Sequence, residues 1–120
     1  MKAEIKSLHS LLLEDRLIDY WPDDVSNFGT WIRAYIGPRG EVSSESFDIH
    51  VCTPEWLKAQ CATQSPLWGR HMLIVEVYDY DAIKTAIERY VAAVDGDDWA
   101  DIAAKLSRVG AWEFEDYQDR

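Results

Sequence analysis

The chain has 120 residues, 48% of them hydrophobic and 12% aromatic, which suits one domain with a buried core and leaves no room for two. Its 22 acidic residues against 12 basic ones give a formal net charge of -10. That balance argues against direct binding to DNA, RNA or an anionic membrane surface, because phosphate contacts need clustered Lys and Arg.

A basic protein is the complementary partner for such a surface, since opposite charge steers encounter, and plain solubility is the other reading of the same charge. The six Trp are many for this length. The core has room for some, and surplus Trp marks a binding surface. The apolar runs are too short to span a bilayer, and Met1-Lys2-Ala3-Glu4-Ile5-Lys6 lacks the apolar stretch of a secretion signal. Cys52 and Cys61 make neither a disulfide framework nor a metal pattern, so the expectation is a cytoplasmic protein with reduced thiols.

In chain order, residues 3–9 alternate as a first strand, and residues 11–19 read equally as an irregular crossing or a short helix. Trp21-Pro22-Asp23-Asp24 is a loop by its Pro and paired Asp. Residues 28–36 place Phe28, Thr30, Ile32, Ala34 and Ile36 on one face and Trp31, Arg33 and Tyr35 on the other. Gly37-Pro38-Arg39-Gly40 turns the chain into residues 42–51, where Phe47, Ile49 and Val51 share a face, giving an antiparallel hairpin.

Thr53-Pro54-Glu55 is a helix start: a capping hydroxyl, a Pro where no donor is lost, and an acid at the positive dipole end. The spacing turns Trp56, Leu57 and Cys61 inward. Residues 71–78, with the run Met72-Leu73-Ile74-Val75, predict a central strand covered on both faces. Ile83, Ala86, Ile87, Tyr90, Val91 and Val94 form one apolar stripe of a helix capped by Asp81 and stopped by Gly96. Trp99, Ile102, Ala103 and Leu106 repeat the pattern in a second helix, capped by Asp97 and closed by Gly110. Residues 111–117 alternate again, with Trp112 and Phe114 on one face. The fold class is α+β: an antiparallel sheet of about four to five strands with helices packed on one face, as a single domain over residues 1–120.

Catalytic signatures are missing from the sequence: it holds no Gly-rich phosphate loop, no G-x-S-x-G and no H-E-x-x-H. His9, His50 and His71 lie on three predicted strands at spacings that suit sheet positions better than a metal site. Cys52 precedes a helix cap but has no His or Lys beside it, so it reads as a packed thiol. The Asp pairs at 23–24 and 97–98 read as turn and capping chemistry before they read as catalytic carboxylates. The expectation is therefore no catalytic residue, no cofactor and no metal, in a protein that is not an enzyme.

The segment Glu45-Ser46-Phe47-Asp48-Ile49-His50-Val51-Cys52-Thr53-Pro54-Glu55-Trp56-Leu57 resembles the central signature of a bacterial immunity-protein family, immunity protein 8. The opening to Leu8, Ile36-Gly37-Pro38 and Gly69-Arg70-His71 through Tyr78-Asp79 fit it as well. The resemblance implies a protein encoded beside a polymorphic or contact-dependent toxin, which neutralises that cognate toxin domain in the cytoplasm. Many such toxins are nucleases, whose basic phosphate-binding surfaces suit an acidic inhibitor. The signature itself is strand, cap and core Trp, so contact residues must be sought elsewhere. Charge and predicted exposure select Asp23, Asp24, Asp95, Asp97, Asp98, Glu113, Glu115 and Asp116, with the aromatic Trp68 in the unmatched segment 58–68. The alternative is a non-catalytic structural or adaptor protein acting through self-association.

Overall fold

The computed structural model describes residues 1–12 and 15–115. Strict alternation in the first half produces the sheet. Strand β1 (Ala3–Ser10) pairs antiparallel with β3 (Gly29–Pro38), and β3 pairs antiparallel with β4 (Glu45–Cys52) over eight residue pairs from Gly29↔Cys52 to Ile36↔Glu45. The short β2 (Asp15–Arg16) folds back on the end of β1, and a 3-10 turn, Leu17–Asp19, follows it. Two short strands share the outer edge of β4: β5 (Met72–Ile74) runs parallel to residues 50–52, and β6 (Ala111–Trp112) runs antiparallel to residues 47–48.

The face anticipated for β3 and β4 is the core. Ile32, Ala34, Ile36, Phe47, Ile49 and Val51 are buried there with Ala3 and Leu8 of β1. Helices α2 (Tyr80–Ala93) and α3 (Trp99–Leu106) cover that face with Ile83, Ile87, Val91, Ile102, Ala103 and Leu106. The chain is thus α+β, with a mainly antiparallel sheet and two helices on one side. Helix α1 (Pro54–Thr63) differs from expectation. It buries none of its residues: Trp56 and Leu57 are half-buried and Cys61 is exposed. Its Trp56 ring lies instead against Gly29 and edge-on to His50, on the side of the sheet away from the core.

Thr53 ties α1 to the sheet as its residue type requires. Its hydroxyl accepts from the Trp56 amide at 3.4 Å, capping the helix, and from the Phe28 amide at 3.1 Å. Its own amide donates to the Phe28 carbonyl at 3.0 Å. The other two caps fall one or two residues from the expected Asp. Asp79, not Asp81, accepts from Ala82 at the start of α2, and Asp98, not Asp97, accepts from Asp101 at the start of α3. Asp81 becomes a first-turn charge. Helix α2 ends at Ala93, before Gly96, because residue 95 is drawn into a bridge with Lys2 at the start of β1. Helix α3 ends at Leu106, with Ser107 as its C-cap, and Gly110 returns a hydrogen bond to the Leu106 carbonyl.

The segment 71–78 is a three-residue edge strand, not a central one. Its partner β4 ends at Cys52, where Thr53 turns into α1, so β4 offers residues 76–78 no further partner and the Tyr78 amide donates instead to the Val25 carbonyl. The β3–β4 connection is longer than a tight turn. Pro38 still belongs to β3, Gly40 takes the positive φ of 83° that glycine favours, and Val42 is exposed outside β4. Gly37 passes under this loop so closely that an added Cβ would lie 1.9 Å from the Ser43 carbonyl oxygen. Gly37→Ala is therefore expected to lower the unfolding free energy by about 1–3 kcal/mol, since backbone must move to make room; a lowered urea midpoint at unchanged slope is the readout. Of the expected strand 111–117, two residues pair, and Asp116 and Tyr117 lie outside the described residues.

Candidate partner-binding surface

Each of the three histidines meets a structural partner. His9 shares a hydrogen bond with Ser7 (2.9 Å), and the His71 ring nitrogen meets the Ser107 carbonyl at 2.8 Å. His50 is stacked on Trp31, with ring centroids 4.7 Å apart, and meets the edge of Trp56 at 4.9 Å. No group of three or more His, Cys, Asp or Glu is placed to hold a metal ion among the described residues. Cys52 is fully buried, and burial pushes its thiol up, away from the reactive thiolate.

Burial holds His50 below the ordinary histidine value. The unfolded chain therefore takes up this proton first, and folding stability falls as pH drops through about 6.5, the ordinary value. Urea unfolding at pH 7.5 and 5.5 should show a loss that His50→Gln reduces. A gain on acidification, as a dominant attraction between imidazolium and the two indoles would give, contradicts it.

The acids selected from the sequence do not converge on one site. Asp23 and Asp24 lie before β3, beside the start of α2, because the Val25 carbonyl accepts from the Tyr78 amide at 2.7 Å. Asp95, Asp97 and Asp98 lie beyond its other end. With 14 residues in α2, the two groups are separated by a helix about 20 Å long. Several of these carboxylates have structural work. Asp24 accepts from the Ser26 amide (2.9 Å) and hydroxyl (3.0 Å), contacts that hold it below the usual carboxylate range. Asp95 pairs with Lys2 at 3.3 Å, and Asp98 caps α3. Glu113 accepts from the Ser46 amide at 2.7 Å, and Glu115 pairs with Arg70. Asp23 and Asp97 are exposed, with no side-chain ion pair or hydrogen bond found among the described residues. Trp68, on the connection from α1 to β5, is 92% exposed, and its ring meets no other ring among the described residues.

A different feature, missed in the sequence, stands out at the end where β2, the loop before β3 and the start of α2 meet. Trp21 is 70% exposed, yet its ring packs edge-on to Tyr78 at 5.3 Å. Tyr78 is 5% exposed and is fixed by three further contacts. It meets Tyr20 and Phe28 edge-on, each at 5.6 Å, and its hydroxyl donates to the Tyr20 carbonyl at 3.0 Å. Burial pushes that hydroxyl up to about 12, so it remains a donor at neutral pH. Ile18 and Val77, 58% and 44% exposed, flank the aromatic pair on the same segments. The sequence signal is Trp21 beside Pro22, which reads as loop chemistry; its support, Tyr78, is remote in the chain.

The family model for immunity protein 8 matches residues 3–117, from the first residue of β1 to beyond β6. The chain belongs to the immunity protein 8 family. No curated protein and no solved structure matches it significantly. The segment that carries the family likeness is β4, Thr53 and the first turn of α1. In this immunity-family chain it is a fold-building unit: the Thr53 hydroxyl is engaged by Phe28 and Trp56, Asp48 pairs with Arg33 at 2.8 Å, Glu45 accepts from two indoles, and Phe47, Ile49 and Val51 lie in the core. Among the described residues no helix is long and apolar enough to cross a membrane.

Proposed function

We propose that this immunity-family protein neutralises a cognate toxin domain, encoded by a neighbouring gene, by binding it in the cytoplasm, and that the toxin is a nuclease. Family membership supports the immunity role. The observation that carries the partner's chemistry is the charge: 22 acids against 12 bases, with Asp23, Glu76 and Asp81 among the exposed carboxylates. An acidic face complements the basic groove with which a nuclease holds phosphates, and covering that groove stops turnover without any chemistry in the inhibitor. Binding is then a matter of surface, and the protein works as a stoichiometric, non-catalytic inhibitor.

The test is co-expression. Cells carrying the adjacent toxin domain should grow when this chain is present and fail when it is omitted, and the purified pair should form a one-to-one complex. Unrestored growth together with no complex would overturn the reading. A protected cell whose toxin lacks nuclease activity would keep the immunity role and overturn the nuclease.

A further inference from the structure

We infer that the end of the molecule centred on Trp21, with Ile18 and Val77, is the surface that grips the partner, and that it fits a cationic protein surface with an apolar recess. The partner's identity rests on the toxin-neutralising reading; the surface itself is drawn from the geometry. Two independent observations meet there. One is apolar: three exposed hydrophobic side chains lie on segments that are stitched together, since Tyr78 bonds to the Tyr20 carbonyl and to Val25. The other is electrostatic. Residues 15–24 and 76–79 hold Asp15, Asp19, Asp23, Asp24, Glu76 and Asp79 against one base, Arg16, which is itself paired with Asp19 at 3.3 Å.

Trp21 differs from Trp68 in what lies beneath it. A Trp held on a buried, hydrogen-bonded Tyr loses little freedom on binding, so most of its contact area becomes affinity. Trp68, at 92% exposure, must be ordered by the partner first. The acidic rim decides among occupants. Facing copies of this chain would bring like charges together, and an anionic lipid surface would repel the same rim. A basic protein meets attraction at the rim and an apolar anchor at the centre.

Titration of the purified chain with the toxin domain of the adjacent gene, in a catalytically inactivated form, tests this. Trp21→Ala should weaken binding about thirtyfold or more, chiefly through faster dissociation. Because Trp21 also touches Tyr78, Ile18→Lys and Val77→Lys serve as exposed variants that leave that packing intact; each should weaken binding at least about tenfold. Trp68→Ala and Asp97→Asn should stay within about threefold of the wild type. If the wild type binds and the Trp21, Ile18 and Val77 variants bind equally well, the surface is wrong while the immunity reading stands. If the wild type does not bind, both fall. A wild-type dimer in light scattering that Trp21→Ala converts to monomer would make this face a self-interface and overturn the inference.

Discussion

Replacing Phe47 with alanine is expected to remove about 3–5 kcal/mol of stability and to lower the melting temperature by about 10–20 °C. Phe47 is 1% exposed on the β4 core face, which it shares with Ile49 and Val51. Its ring stacks on Trp112 at 6.3 Å and meets the edge of Trp99 at 6.5 Å. Neither indole is free to follow the lost ring. Both donate their ring N–H to the same carboxylate, Glu45, with the Trp112 bond at 3.1 Å. Gly110 closes the remaining side, so near that a Cβ there would lie 3.0 Å from that of Phe47. A crevice of about 130 Å³, lined by Phe47, Ile36, Ile49, Ile87 and Leu106 among others, already runs beside it. Truncation therefore enlarges a space that its walls cannot close, and the loss belongs in the upper part of the range for large-to-small changes. A loss below about 2 kcal/mol by urea unfolding would show that the two indoles do move.

The features legible in the sequence are those set by neighbours along the chain. Alternation at 28–36 gave the two faces of β3 because one side must be buried and the other not, and Thr53-Pro54 gave the start of α1 because capping is local. The apolar stripes of α2 and α3 were legible for the same reason. Where two Asp stand close together, the sequence leaves the cap open, and the structure takes Asp79 and Asp98. Asp79 and Asp81, or Asp97 and Asp98, are equally able to cap; the choice is made by how the chain enters, through the Tyr78–Val25 bond in one case and the Gly96 amide on the Met1 carbonyl in the other. The strand within 71–78 is only Met72–Ile74 because an apolar run reports burial, not the length of the partner, and β4 ends at Cys52. The surface around Trp21 was invisible for a related reason: what makes an exposed Trp useful is the Tyr78 beneath it, and that contact exists only in the fold.

Neutralising the rim should separate steering from grip. In the variant carrying Asp19→Asn, Asp23→Asn, Asp24→Asn and Glu76→Gln, the association rate with the toxin domain is expected to fall about tenfold to a hundredfold at low salt, with little change in dissociation. All four residues are exposed, so folding is not at stake. The asparagine that replaces Asp24 can still accept from the Ser26 amide, and Asp19 gives up a surface pair with Arg16. Steering acts over distances comparable with the Debye length of about 10 Å at 0.1 M salt, so raising the salt should bring the wild-type rate down towards that of the variant. The corresponding change at the far end of α2, Asp95→Asn with Asp97→Asn, should slow association far less, because about 20 Å of helix separates those residues from the Trp21 surface. Stopped-flow rates across a salt series decide it. If the two acidic ends contribute equally, the partner is drawn to net charge alone, and the anchor around Trp21 does not choose where it lands.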